Sequence, residues 1–171
     1  MKKIFLTIMI LVMSLVMFAG CNKNDDVLRI HIRANSNLSA DQEVKLCVRD
    51  KVVEYITPLI AECGSAEEVK SALMENLDNI KMVANNVLME NGFEYGASAD
   101  INNEYFPSRD YGGVTFGADY YDALIIRLGS GNGDNWWCVA YPPLCFVGEN
   151  TESNSVRYRS KLIELINKFW S

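Results

Sequence analysis

The sequence predicts an α+β fold of two layers, a mostly antiparallel sheet packed by two long N-terminal helices and one C-terminal helix. Three observations carry this expectation. Leu28-Arg29-Ile30-His31-Ile32-Arg33 alternates strictly between apolar and basic side chains, the period-two pattern of a half-buried strand. From Val44 to Leu88 the apolar residues recur at helical spacing instead. After Gly92 the composition turns to Tyr, Phe, Gly and β-branched residues, which suit a sheet. With no internal repeat, a strand, helices, several strands and a closing helix place the helices on one sheet face.

The chain begins with Lys2-Lys3 and an uncharged apolar run from Ile4 to Ala19, sixteen residues. That length suits a secretory leader and falls short of the roughly 18–20 residues that span a bilayer. Phe18-Ala19-Gly20-Cys21 reads as a lipoprotein-type signal covering residues 1–20, with Cys21 as the lipidated residue. An uncleaved N-terminal anchor and ordinary signal cleavage are the alternatives, and all three place the rest of the chain outside the cytoplasm. Residues 21–27 form a polar tether, and residues 28–171 a single domain.

After the first strand, Asn35-Ser36-Asn37 turns the chain, and Ser39 with Gln42 reads as a capping box opening a helix. Val44, Cys47/Val48, Val52, Tyr55/Ile56 and Leu59/Ile60 mark its buried stripe, Pro58 is expected to kink it, and Gly64 ends it. Ser65 with Glu68 forms a second capping box, and one further helix is expected to run to Asn91-Gly92. Strands are expected at 94–102, 113–116, 123–128 and 135–141. Ala123–Leu128, apolar on nearly both faces, reads as a central strand. Gly129-Ser-Gly-Asn-Gly-Asp134 reads as the turn joining it to its neighbour. Asn154 or Ser155 caps the last helix, whose Leu162, Ile163, Leu165, Ile166, Phe169 and Trp170 can cover the sheet.

Charge and composition exclude several functions. The 171 residues carry 16 Lys+Arg against 22 Asp+Glu, a net charge of −6, with a single histidine, His31. Losing the two leader lysines takes −6 to −8. No basic run longer than Lys2-Lys3 exists, so no nucleic-acid partner is assigned. One histidine cannot build a multi-histidine zinc site, and Cys138-x6-Cys145 lacks a second ligand pair, so neither metal nor cofactor is assigned. The glycine turn is followed by a strand, whereas phosphate binding needs a helix N-terminus there.

Five cysteines divide into Cys21 in the leader and Cys47, Cys63, Cys138 and Cys145 beyond it. Cys47 and Cys63 lie about 24 Å apart along one helix, out of disulfide reach unless Pro58 folds it back. Cys138 and Cys145 flank a strand end and a turn and can meet, with two buried thiols as the alternative. An extracytoplasmic thiol hydrolase with Cys138 as nucleophile and His31 as base is a weaker reading. Cys138 falls mid-strand, and Arg29 and Arg33 flank His31 and depress its basicity. A small-molecule-binding lipoprotein with an apolar pocket at the tryptophans is another reading. No catalytic residue is assigned.

Trp136 and Trp137 carry more information. Adjacent strand residues point to opposite faces, so both indoles cannot enter one core. Either one indole lies on an open aromatic surface suited to a protein partner, or the sheet is covered on both faces. The Arg29/His31/Arg33 row has the same two readings: internal pairing with acidic residues, or a positive stripe offered to a partner.

Together these segments resemble the stage II sporulation protein R family of endospore-forming bacteria. The resemblance rests on Arg29-Ile-His-Ile-Arg-Ala-Asn-Ser36, Asp41-Gln42 and Lys45-Leu-Cys-Val-Arg-Asp50. It rests further on Phe106-Pro107 with Tyr111-Gly112, Tyr121-Asp-Ala-Leu124, and Gly129-x-Gly131-x-Gly133-x-Asn135-Trp-Trp-Cys-Val-Ala-Tyr-Pro-Pro-Leu-Cys-Phe146. Ser130, Asn132 and Asp119 depart from the family's habit, as does the lipidation suggested by Cys21. The resemblance implies a protein made in the forespore and exported to the intermembrane space. There it would activate a membrane-embedded aspartic protease of the mother cell that processes pro-sigma-E. On that basis the expected partner-facing residues are Arg29, His31, Arg33, Asn135, Trp136, Trp137, Tyr141, Pro142 and Pro143, with membrane attachment through Cys21 or the N-terminal segment.

Overall fold

A computed structural model of the chain describes residues 26–111 and 114–143. The alternating segment forms β1, Leu28–Arg33. Helix α1, Ser39–Ile60, follows. Its Val44, Val48, Val52, Ile56 and Ile60 are buried, whereas Tyr55 and Leu59 are half-buried at the edge of the core and Cys47 is exposed, so the buried face is narrower than expected. The helix starts one residue earlier than a Ser39 cap allows. Leu38 is the cap position, without a side-chain bond, while Ser36 Oγ accepts from the Leu38 N–H at 3.1 Å and Gln42 Nε2 donates to the Ser36 carbonyl at 2.9 Å. Pro58 lies in the last turn, and the helix continues past it to Ile60.

The second capping box forms, with Ser65 Oγ accepting from the Glu68 N–H at 3.2 Å and the Glu68 carboxylate accepting from the Gly64 N–H at 2.7 Å. Ser65→Ala is therefore expected to cost about 1 kcal/mol in chemical denaturation. The single long helix expected beyond it is instead two, α2 (Ala66–Glu75) and α3 (Leu77–Glu90). Asn76 breaks the run at φ −110°, ψ 11°. Its Nδ2 donates to the Ala72 carbonyl at 2.9 Å and its Oδ1 accepts from the Tyr55 hydroxyl of α1 at 3.1 Å. The side chain competes with the helix for backbone partners, a contest that spacing of apolar residues does not register.

The remaining strands are β2 (Ala97–Phe106), β3 (Arg109–Tyr111), β4 (Val114–Phe116), β5 (Asp119–Leu128) and β6 (Asn135–Tyr141). β2 starts and ends later than expected, and β3 is an addition. The main sheet has the order β2-β5-β1-β6, with β1 parallel to β5 and the other two pairs antiparallel. The fold is thus α+β with a mixed, mostly antiparallel sheet. β5 is central, but β6 is not its neighbour. β1 lies between them, so residues 129–134 cross the end of β1 and do not close a hairpin. Among the described residues β3 and β4 pair with each other, as a small hairpin at the end of the β2–β5 ribbon.

Alternation decides which side chain enters which layer. Leu28, Ile30 and Ile32 of β1 and Leu124, Ile126 and Leu128 of β5 join the apolar stripes of the three helices in the main core. Phe106, Tyr121, Ala123 and Ile125 form a second cluster on the opposite face, with Val27 and Trp137 packed against it. The expected C-terminal helix, the expected leader and Cys145 lie outside the described residues.

Candidate functional site

The odd-numbered side chains of β1 enter the second face, where the small hairpin meets them. Arg29 is 0% exposed. Its Nε donates to the Cys138 carbonyl at 3.2 Å and its Nη2 to the Tyr111 hydroxyl at 3.0 Å. Four rings surround the guanidinium, with Cζ lying 4.6 Å from the Phe106 centroid, 5.1 Å from Tyr121, 5.4 Å from Phe116 and 5.5 Å from Tyr111. Burial holds its proton affinity below the usual arginine range, with the Tyr111 bond opposing. The Tyr111 hydroxyl donates onward to the Trp137 carbonyl at 3.3 Å, and Arg109 stacks 4.5 Å from the Trp137 centroid. The hairpin thus straps the β1 and β6 side of the sheet.

One strand-length along, Glu104 of β2 gathers three cationic or basic side chains. Its Oε2 accepts from His31 Nδ1 at 2.9 Å and from Arg33 Nη2 at 2.8 Å. Its Oε1 accepts from the same Arg33 nitrogen at 2.8 Å and from Arg127 Nη2 at 3.2 Å. Arg127 also donates to Asp100 Oδ2 at 2.8 Å. Burial works to raise the Glu104 carboxyl, but the His31 bond and Arg33 outweigh it and hold it below the ordinary range. An ionised Glu104 accepts, so His31 carries its proton on Nδ1 and leaves Nε2 as a lone pair. Among the described residues neither His31 Nε2 nor Asn135 Oδ1 has a hydrogen-bond partner, although the Asn135 carboxamide is near enough to raise the ring's proton affinity.

His31 is 3% exposed, and burial is the largest cause of a pKa below the ordinary 6.5, reinforced by Arg33 and opposed by Glu104 and Asn135. Its rings of contact are Phe106 at 5.7 Å and Trp137 at 5.5 Å. The native state therefore binds this proton less readily than the unfolded chain does. The stability due to neutral His31 is full above about pH 6.5 and is lost as pH falls from there through the lower folded value. With one histidine in the chain, a proton NMR titration is expected to show one midpoint below 6.5. A midpoint at or above it would mean that solvent reaches the ring.

A second cluster ties the loop after β1 to the glycine-rich loop. Asn35 Oδ1 accepts from the Ser130 N–H at 2.9 Å, and the Ala34 carbonyl accepts from the Gly133 N–H at 2.8 Å. Asn37 Oδ1 accepts from the Asp134 N–H at 2.6 Å, and buried Lys45 donates to the Asp134 carbonyl at 3.0 Å. Buried Asp41 accepts from Ser36 Oγ and the Tyr95 hydroxyl, both at 2.5 Å, and from Asn35 Nδ2 at 3.1 Å. Burial would raise its carboxyl, yet these donors hold it below the usual range. The glycines serve this contact. A Cβ on Gly133 would press on the Ser36 carbonyl, and one on Gly129 on the Asn35 side chain.

Of the residues expected to face a partner, Arg29, His31, Arg33, Asn135 and Trp137 come together on this second face. Trp136 does not: it lies opposite Ile32, packed against the helix-side core with Arg49 5.7 Å from its centroid. Tyr141, opposite Leu28 at the far end of β6, donates to the Gly64 carbonyl at 2.6 Å, and half-buried Pro142 and Pro143 follow it. The basic row is therefore not an open stripe. Arg29 and His31 are buried beneath aromatic rings, and His31 and Arg33 pair internally with Glu104. Glu104, Arg127, Asp100, Tyr111 and Phe116 were not legible as site residues. Continuing the period-two reading of β2 past Asn102 would have flagged Glu104 and Phe106.

Cys138 lies opposite Ile30, on the face away from His31, and is disulfide-bonded. Its expected partner, Cys145, lies outside the described residues. A thiolate at Cys138 activated by His31 is excluded by both facts. Cys47 and Cys63 are free. Among the described residues no group of His, Cys, Asp and Glu is arranged to hold a metal ion. No helix among them is long and apolar enough to cross a membrane.

The fold and site define an α+β protein with a mixed four-stranded sheet, helices on one face and a polar-aromatic cluster strapped by a hairpin on the other. The family model for stage II sporulation protein R (spore_II_R) matches residues 24–151, which include both clusters. The chain is also 37% identical over 123 residues to stage II sporulation protein R of Bacillus subtilis (strain 168), covering 72% of this chain and 55% of that protein. No solved structure matches. The chain belongs to the stage II sporulation protein R family. It spans 55% of the length of the curated relative it matches.

Proposed function

We propose that this protein is an exported sporulation signal, made in the forespore, that activates a membrane-embedded aspartic protease of the mother cell and so drives pro-sigma-E processing. The family match across residues 24–151 carries this reading. The protein acts as a ligand and not as an enzyme, and the catalytic carboxylates belong to its receptor. A ligand activates only by binding the active arrangement of its receptor better than the inactive one, so the mechanism needs a rigid, specific surface. The interlocked loops and the Glu104 network suit that need, because each ties β1 to a distant part of the chain.

Export places the domain in the intermembrane space, and lipidation of Cys21 holds it to the outer leaflet by a tether of about 20 Å, seven residues fully extended. The test is reconstitution in a non-sporulating host: receptor protease and pro-sigma-E expressed together, with and without the full chain, following shortening of pro-sigma-E. Shortening that depends on this chain supports the reading. Its absence, with chain and protease both folded and inserted, overturns it. Cys21→Ala, compared at equal exported level, is expected to reduce signalling, and an undiminished signal would remove the lipid tether from the mechanism.

A further inference from the structure

We propose that β2 is a dimerisation edge: two copies of this chain pair antiparallel along residues 100–106 and join their sheets about a two-fold axis at Asn103. The sheet order leaves β2 and β6 at its edges. β2 is ten residues long, where an ordinary strand has about 5–6, and it pairs with β5 along its whole length without a bulge. Natural edges are blunted by short strands, bulges, proline or lysine. β2 has no proline, lysine or bulge.

Two hydrogen bonds show which way the backbone groups of β2 point. Asn85 Oδ1 of α3 accepts from the Ala97 N–H at 2.8 Å, and Asn102 Oδ1 accepts from the N–H of the next residue, Asn103, at 3.1 Å. Both N–H groups therefore point away from β5. Backbone direction alternates along a strand, so the odd-numbered residues of β2 face the outer rim. Ala99, Ile101 and Tyr105 share that direction, and among the described residues nothing pairs with their N–H and C=O groups. A row of such groups is matched by another extended strand.

The side chains of β2 fit a second copy in one register. Asp100 and Glu104 turn to the second face, where Arg127 and Arg33 pair with them, so the outermost side chains, Asn102, Asn103 and Tyr105, are uncharged. A two-fold pairing must set rim-facing residues opposite one another, which confines the axis to a residue position. An axis at Asn102 sets Asp100 against Glu104 of the second copy, and one at Asp100 or Glu104 sets an acid against itself, all disfavoured. An axis at Ala99 or Ile101 brings the second copy against Asn85, which closes the rim at Ala97. An axis at Tyr105 runs past Pro107, off the end of the strand.

Asn103 remains. With the axis there, Ile101 faces Tyr105 of the second copy, a β-branched side chain against an aromatic one, and Asn102 offers its amide to Glu104 of that copy. Ile101, Asn103 and Tyr105 exchange main-chain bonds with their opposite residues, and Pro107, which has no N–H, ends the ladder. Tyr105, 58% exposed in the single chain, is covered. The contact is isologous, so it closes at two copies and builds no fibre.

The test uses the full chain in density-matched detergent, with mass read by sedimentation equilibrium. The natural chain is expected at twice its own mass. Asn103→Lys, at an exposed position outside both core clusters, sets two cations face to face on the axis and is expected at its own mass. Circular dichroism checks its fold, and should it not fold, Tyr105→Lys is read in the same way. A second readout places cysteine at Asn103 or at Ser98, both exposed on β2. Opposite residues of a hydrogen-bonded pair stand about 5.5 Å apart at Cα, within disulfide reach, whereas Ser98 is far from the axis and on the other face.

Asn103→Cys is expected to cross-link several-fold more than Ser98→Cys, which links no more than the natural chain with its exposed Cys47. A natural chain at its own mass overturns the proposal and leaves the rim to a strand of a different protein. A dimer that survives Asn103→Lys, or equal cross-linking at the two positions, overturns it as well. Neither readout involves pro-sigma-E, so the result stands apart from the signalling reading.

Discussion

Glu104→Gln is expected to lower the unfolding free energy by about 3 kcal/mol, because it breaks a largely buried ionic network by removing one partner. For a chain of this size that corresponds to a fall of roughly 10 °C in the unfolding midpoint. Both Glu104 oxygens are occupied, by His31 Nδ1, Arg33 and Arg127, and the side chain is only 18% exposed. A glutamine keeps the shape but turns an amide's two donors toward three groups that are themselves donors. The same change at exposed Glu94 is expected to stay within about 0.5 kcal/mol.

The pH dependence separates this network from a simple packing effect. Glu104 is held below its ordinary value, so its contribution is present above the unfolded carboxyl value and disappears as pH falls through the folded one. The gap between natural and Glu104→Gln chains should therefore close in acid. A loss under about 1 kcal/mol near neutral pH would reduce the network to a solvated surface pair.

Gly133→Ala is the second large effect, expected to cost about 3 kcal/mol at the upper end of overpacking and to separate the loop after β1 from residues 129–134. The added carbon would stand 2.5 Å from the Ser36 carbonyl carbon and 2.9 Å from Ala34 Cβ. Backbone cannot rotate away as a side chain can, so one loop must move. The Gly133 N–H bond to Ala34 and the Asn37 bond to Asp134 go with it. Gly117→Ala is the control, because a methyl there meets nothing within 4 Å. If Gly133→Ala unfolds at the same denaturant concentration as Gly117→Ala, the two loops do not depend on close approach. If it is destabilised as expected, amide hydrogen exchange should localise the extra opening to residues 34–38 and 129–134.

Local sequence governs whatever depends on neighbours a few residues away. The strict alternation of 28–33 made β1 and sorted its side chains onto two faces. The spacing of Val44, Val48, Val52 and Ile56 made α1 and its buried stripe, and the apolar run 123–128 marked a central strand. The blocks around Arg29–Ser36 and Gly129–Phe146 were specific enough to indicate the family.

The tertiary structure alone decided which elements became neighbours. β1 lies between β5 and β6 because Leu28 pairs with both Asp122 and Tyr141, contacts between residues far apart in the chain that no local pattern encodes. That one choice turned an apparent hairpin turn into a loop crossing β1 and made its glycines contact points with Asn35 and Ser36. It also put Glu104 within reach of His31 and Arg33, and so converted an apparent basic stripe into an internal network. The helix break at Asn76 has the same origin, since the Tyr55 hydroxyl that meets Asn76 belongs to another helix. Periodicity records which face of an element is buried. It carries no information on what that face meets, and the fate of Arg29 was settled there, by a hairpin 80 residues further along whose Tyr111 reaches back to it.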